Sequence, residues 1–227
     1  MKLLLIRHAD PDYAHDALTP KGHAEARLLA EYLSRVPLDE IYVSPMGRAQ
    51  LTARYILERL GREALTLDWL AELDGNYRER LWSWGLPPAE ALARSEPYGV
   101  RSWPDEIVYG QHMAEVVRPF YAQFDALLRL HGYAREGYRY RVLGDPEDRR
   151  TLAFFCHGGV ILTLLAHLLQ VAVPVAYAQF WVDPASISAV GLEARDGYAA
   201  ARLLAFNDIG HLAPLRGPIH AQPYPRE

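Results

Sequence analysis

Apolar and polar positions alternate along this chain in blocks that read strand, helix, strand, helix. The first block, Lys2–Arg7, holds the apolar run Leu3–Ile6 and stops on Arg7-His8. A run of that length fits a buried strand and is too short for a membrane span or a signal peptide. Thr19-Pro20 then opens a helix, because Thr caps an N-terminus and Pro suits the first helical position. Ala24, Leu28, Tyr32 and Leu33 recur at helical spacing to about Ser34. Asp39–Val43 reads as a second short strand. Ser44-Pro45 repeats the cap signature, predicting a helix over Met46–Leu60, and Thr66–Leu73 reads as a third strand.

From Gly75 to about Gln111 the pattern breaks into Gly, Pro, Tyr, Trp and Arg, as in a partly helical insertion. Met113–Leu130 predicts a long helix, and Gly137–Leu143 an exposed strand or hairpin arm. Thr151–Cys156 is a buried-strand pattern that runs through His157-Gly158-Gly159 into Val160–Leu169, apolar almost all round and so a buried helix. Ser186–Leu192 and Tyr198–Phe206 predict a strand pair joined at Arg195–Gly197, and the tail from Pro214 reads as irregular. No repeat or linker divides the chain. The expectation is one α/β domain over residues 1–227, with the segment of about 75–111 as a lid or cap.

Composition narrows the function classes. The chain has 227 residues, enough to bury a core without staples. Half the residues are apolar and 23% are charged, a globular profile. A net charge of −4 with no basic block argues against nucleic acid or an anionic membrane as partner. The one cysteine, Cys156, forms no intrachain disulfide, which suits a reducing cytoplasm. No Cys/His cluster has zinc spacing and no Asp/Asn loop resembles a calcium site, so no metal or cofactor is expected.

Three segments share one design. Strands end in Arg7-His8 and in His157-Gly158-Gly159, and the second strand passes through Ser44-Pro45 into a helix with Arg48 in its first turn. In open α/β sheets the carboxyl edge is where ligands bind. Helix N-termini offer unpaired N–H groups and partial positive charge, and guanidinium groups bind phosphate bidentately. Taken singly, Arg48 reads as a solvated helix cation and Glu72 as a surface carboxylate. Together the groups read as a pocket for a tetrahedral oxyanion such as phosphate.

Leu5-Ile6-Arg7-His8, Leu18-Thr19-Pro20-Lys21-Gly22, Ser44-Pro45-Met46-Gly47-Arg48, the Glu72 segment, Phe155-Cys156-His157-Gly158-Gly159-Val160 and Asn207-Asp208-Ile209-Gly210-His211-Leu212 occur in this order. In these blocks the chain resembles the histidine phosphatase superfamily, also called phosphoglycerate-mutase-like. It departs from the usual pattern at Ala9, where the family has Gly. The resemblance implies a three-layer αβα sandwich with a mostly parallel central sheet and helices on both faces. It also implies a metal-independent phosphomonoester hydrolase, with His8 as nucleophile and Arg7, Arg48, His157 and Gly158 holding the phosphoryl group. Glu72 would be the proton donor, with Asp74 as the alternative acid.

The expected partners are a small phosphorylated metabolite and product phosphate, in a cytoplasmic monomer or homodimer. For the rest of the substrate, His15, Tyr77, Arg78 and Trp82 are the candidates. A phosphoglycerate-type mutase and a non-catalytic phosphate-binding protein of the same fold remain the competing readings.

Overall fold

The computed structural model describes residues 1–78, 81–103 and 110–217, with side chains described outside 76–81 and 104–111. Its strands are β1 (Lys2–Arg7), β2 (Pro11–Asp12), β3 (Ala17–Leu18), β4 (Glu40–Val43), β5 (Leu65–Thr66), β6 (Asn76–Arg78), β7 (Leu81–Trp82), β8 (Tyr133–Glu136), β9 (Arg139–Val142), β10 (Thr151–Cys156), β11 (Ile187–Arg195) and β12 (Tyr198–Asp208). The helices are α1 (Pro20–Leu33), α2 (Gly47–Leu60), α3 (Pro88–Ala91), α4 (Gly110–Leu130), α5 (Gly158–Leu169), α6 (Val173–Gln179) and α7 (Ala213–Arg216). Among the described residues no helix is long and apolar enough to cross a membrane.

Eight strands form one mixed sheet in the order β5-β4-β10-β1-β11-β12-β9-β8. β5, β4, β10 and β1 pair in parallel, and the remaining neighbours pair antiparallel. Only β11 and β9 run against the common direction, so the mostly parallel sheet expected from the resemblance is present. Side chains alternate across it with the period of two that a strand imposes. Leu3, Leu5, Leu152 and Phe154 enter a core under α4, α5 and α6. Leu4, Ile6, Ala153 and Phe155 enter a second core under α1 and α2. Helices therefore cover both faces, and each fully buried Leu, Ile or Phe contributes about 1.5–3 kcal/mol.

Several local expectations shift. Thr66–Leu73 is not a strand: only Leu65–Thr66 pairs with β4, and Asp68–Leu70 turns as a 3-10 helix. On α1 the buried stripe is Gly22, Glu25, Ala26, Leu29, Ala30 and Leu33, while Tyr32 is exposed. Glu25 is the residue no apolar pattern would put inside. It is fully buried and accepts from Arg216 Nη2 (2.5 Å) and Nε (3.1 Å) and from the Asp10 N–H (2.9 Å). That ion pair ties α7 to α1, so the chain from Ala213 is helical rather than irregular up to Arg216. The arm at Gly137–Leu143 is the second half of a β8–β9 hairpin. Its Tyr140 is buried beneath the Arg135 guanidinium rather than exposed.

The register positions the site. Arg7 lies opposite Cys156, and Val43 opposite Phe155, so β1, β10 and β4 stop side by side. The residues that follow them, His8, His157 and Ser44, therefore emerge at one edge. Backbone bonds extend the pairing past the strand ends, from His8 N–H to Cys156 C=O (2.9 Å) and from Ser44 N–H to Phe155 C=O (2.9 Å).

Candidate active site

His8 and His157 lie with ring centroids 5.2 Å apart, both buried. The His8 Nδ1 is 2.8 Å from the carbonyl oxygen of Ala9, an acceptor, so Nδ1 carries the proton and donates it there. Nε2 is left as a lone pair. Burial, then the Arg7 charge, pushes the His8 pKa down to about 3, which keeps the imidazole neutral at physiological pH. Ala9 accommodates the departure from Gly: its side chain is fully buried in the core under α1 and α2, and its N–H donates to Thr52 Oγ1 at 3.0 Å.

His157 is the N-cap position of α5. Its Nε2 lies 2.7 Å from Ser44 Oγ, which already accepts the Met46 N–H at 3.2 Å. The serine hydroxyl is then free to donate to Nε2, which puts the His157 proton on Nδ1. That Nδ1 is buried and pairs with no described residue, as a donor reserved for an oxyanion would be. Burial, with His8 next, brings the pKa of His157 down to about 2.

Each of the two guanidinium groups is held by one oxygen acceptor. Arg7 Nη1 donates to the Val182 carbonyl at 2.5 Å, and its Nε is buried without a described partner. Arg48, 6% exposed, donates from Nη1 to Asp16 Oδ1 at 2.5 Å, and its Nε is likewise unmatched. Asp16 also accepts the Gly47 N–H on Oδ2 at 2.6 Å. It thereby caps α2, whose own N-cap residue, Met46, makes no side-chain cap bond. Burial alone would raise the Asp16 carboxyl, but the Gly47 N–H and Arg48 hold it below its ordinary value. A Cβ on Gly47 would fall 2.3 Å from the Asp16 carbonyl, so the loop reaches the helix only over glycine.

Glu72 closes the site from the other side. Its Oε1 accepts the N–H groups of Leu73 and Val160, each at 3.1 Å, and Oε2 accepts that of Gly159 at 3.3 Å. The carboxyl thus sits on the first turn of α5, and the Gly158 N–H pairs with no described residue. Burial pushes the Glu72 pKa up, outweighing those N–H groups and Arg7. The less engaged oxygen, Oε2, is the place for the proton. Trp84 wedges the carboxyl in place: a Cβ on Gly159 would lie 2.7 Å from Trp84 and 2.8 Å from Glu72 Oε1, and one on Gly75 2.1 Å from Trp84.

A cavity of about 660 Å³ is lined by Arg7, Arg48, Glu72 and Gly158, then by Tyr13, Asp74, Trp82, Trp84, Phe180, Trp181 and further apolar side chains, while His8 and His157 are buried and not among its lining residues. Of the four residues expected to hold the rest of the substrate, Trp82 lines it. His15 does not: its ring is exposed and bonded to Asp12 Oδ2 at 2.8 Å. The side chains of Tyr77 and Arg78 lie outside the described residues. Asp74 lines the cavity but is mostly exposed and makes contact with His112. Trp103, from the same segment as Trp82, packs into the core.

The residues 3–205 match the histidine phosphatase superfamily (branch 1). The chain belongs to that superfamily. Phosphoserine phosphatase 1 of Hydrogenobacter thermophilus is 34% identical over 115 residues, covering 47% of this chain and 52% of that protein. The 2,3-bisphosphoglycerate-dependent phosphoglycerate mutase of Bartonella quintana is 38% identical over 76 residues, 29% of this chain and 37% of the mutase. The chain thus spans about half or less of the curated relatives it matches. Among solved structures, Entamoeba histolytica phosphoserine phosphatase bound to 3-phosphoglyceric acid superposes with a TM-score of 0.61 at 22% identity, covering 93% and 98% of the two chains. The native mycobacterial glucosyl-3-phosphoglycerate phosphatase gives 0.60 at 25%, covering 91% and 98%.

Proposed function

We propose that the protein is a phosphomonoester hydrolase that works through a phosphohistidine on His8. The observation that carries this reading is the His8 tautomer: Nδ1–H held by the Ala9 carbonyl, Nε2 unprotonated, in a ring kept neutral by burial. Nε2 attacks phosphorus, the P–O bond to the alcohol breaks, and Glu72 delivers its proton to the departing alkoxide. Glu72, now a carboxylate, takes a proton from water, which attacks phosphorus and releases phosphate from Nε2. Arg7, Arg48, the His157 Nδ1–H and the Gly158 N–H take the charge on the equatorial oxygens, the part of phosphoryl transfer in which positioning and electrostatics dominate. Because these groups supply the positive charge, activity should persist in EDTA.

The substrate is a small phosphorylated metabolite in this reading, and the described part of the segment at about 75–111 caps its cavity through Trp82 and Trp84. The single cysteine is fully buried, with its thiol pKa pushed up by burial, and takes no part in this chemistry. The Bartonella similarity favours a mutase as the second reading. Supplying phosphoglycerate and measuring phosphate release against isomerisation separates the two. His8→Ala tests the main reading: turnover should vanish with the far-UV spectrum unchanged, and near-normal phosphatase activity in that variant would refute it.

A further inference from the structure

We infer that the cavity selects phosphomonoesters whose alcohol is apolar or aromatic. This rests on the phosphohistidine reading and narrows it. Exposed apolar side chains scattered singly are ordinary, but several gathered around one cavity mark a binding face. Here Tyr13 (66% exposed), Trp82 (47%) and Trp181 (38%) all line the same cavity.

These rings are held rather than loose. Trp82 stacks on Trp84 with centroids 5.5 Å apart and planes 10° apart, and Trp84 meets Tyr177 edge-on at 5.9 Å. Trp181 rides on a loop pinned by Asn207, whose Oδ1 accepts the Asp183 N–H at 2.6 Å while its Nδ2 donates to Asp183 Oδ2 at 2.8 Å. A preformed aromatic wall with few polar groups is the ordinary make-up of a site for an apolar ligand.

Charge points the same way. Among the described lining residues the cations are Arg7 and Arg48, both committed to the phosphoryl group. Among the described lining residues the other charged side chain beyond Glu72 is Asp74, which also contacts His112. A carboxylate or second phosphate on the alcohol would meet no further cation among the described lining residues. An aryl or alkyl group would displace water from the tryptophans.

The test compares phosphates of primary alcohols, so that the leaving groups are matched. With the purified full-length chain, kcat/KM for 2-phenylethyl phosphate should exceed that for O-phosphoserine and for 3-phosphoglycerate by about 100-fold or more. A single methylene in an apolar pocket already discriminates by roughly 10–200-fold. Trp82→Ala and Trp181→Ala should each shrink that ratio at least tenfold. Trp181→Phe should retain it, which separates lost stacking from lost folding. Equal or better turnover of O-phosphoserine, or a ratio unmoved by both alanine variants, would overturn the inference.

Binding to His8→Ala, followed by tryptophan fluorescence, tests the pocket apart from the chemistry. Tighter binding of 2-phenylethyl phosphate there, with no phosphoenzyme in the parent protein, supports the pocket and sinks the phosphohistidine reading. A phosphoenzyme formed with O-phosphoserine as the preferred substrate overturns the inference alone.

Discussion

Replacing Gly159 by alanine perturbs the site through one methyl group whose neighbours are known. That methyl would lie 2.7 Å from Trp84 and 2.8 Å from Glu72 Oε1. Favourable contact between such atoms begins near 3.5 Å, so the ring and the carboxyl must together yield about 0.7–0.8 Å each. Trp84 cannot recede towards Gly75, where it already leaves no room for a Cβ. The first turn of α5 must therefore shift away from the ring, and its Gly159 and Val160 bonds to Glu72 lengthen. A misplacement of about 1 Å at a reacting group costs on the order of 10²-fold in rate, so kcat should fall about 10- to 100-fold. Alanine gains about 1 kcal/mol over glycine within a helix, and overpacking costs about 1–3 kcal/mol. The net loss of about 0–2 kcal/mol is a Tm decrease of up to about 8 °C. The neighbouring Gly158→Ala places its methyl 3.5 Å from the Arg7 guanidinium, an ordinary contact, and should keep or raise Tm. Steady-state kinetics and a thermal melt read both variants. A Gly159→Ala protein with kcat within twofold of the parent and an unchanged Tm would refute the claim that Trp84 and Gly159 set the Glu72 position.

Asp16→Asn keeps a cap on α2 but removes the carboxylate that pairs with Arg48; kcat/KM should drop about tenfold, as expected for loss of a charge-assisted bond, with a modest Tm loss. An unchanged kcat/KM would show that Arg48 needs no such support. Ser44→Ala frees the His157 tautomer and should lower kcat about 10- to 100-fold while leaving KM nearly unchanged. A KM effect alone would place the serine outside transition-state stabilisation. The single-turnover rate of phosphoenzyme formation should fall as pH rises through the raised Glu72 pKa. It should show no histidine limb between pH 6 and 7, since His8 stays neutral down to about pH 3. Stability follows the same groups. As pH falls below 6.5 the unfolded chain binds protons that buried His8 and His157 refuse, so stability is lost progressively towards pH 3. Glu72 acts oppositely, adding stability below its ordinary 4.5 that is lost as pH rises through its folded value. Chemical denaturation across pH checks both signs.

The sheet edge was legible because its chemistry is written beside its strands. Arg7-His8 and His157-Gly158-Gly159 directly follow apolar runs, and parallel pairing brings runs that end alike into register. The position of Glu72 was harder to read, because a lone glutamate near a turn looks like any surface carboxylate. What placed it was contact with α5, 87 residues away in the chain. The supports lay further from view. Asp16 caps a helix it does not precede, and it does so from a left-handed backbone (φ 47°) that Asp tolerates. Nothing in the sequence aims Asp16 at Gly47, 31 residues away. Phe180 and Trp181 entered the cavity through the loop that Asn207 holds, a pairing across 24 residues that no local pattern carries. Periodicity also misjudged α1, since Glu25 is inside only because Arg216 returns to meet it.

Trapping the covalent intermediate tests the central claim most directly. The parent protein, mixed with a labelled phosphomonoester and quenched in alkali within one turnover, should carry acid-labile, alkali-stable phosphate. Peptide mapping should put it on the segment containing His8, at up to one phosphate per chain, and His8→Ala should carry none. Turnover without such a label, or a label on any other residue, would contradict the mechanism.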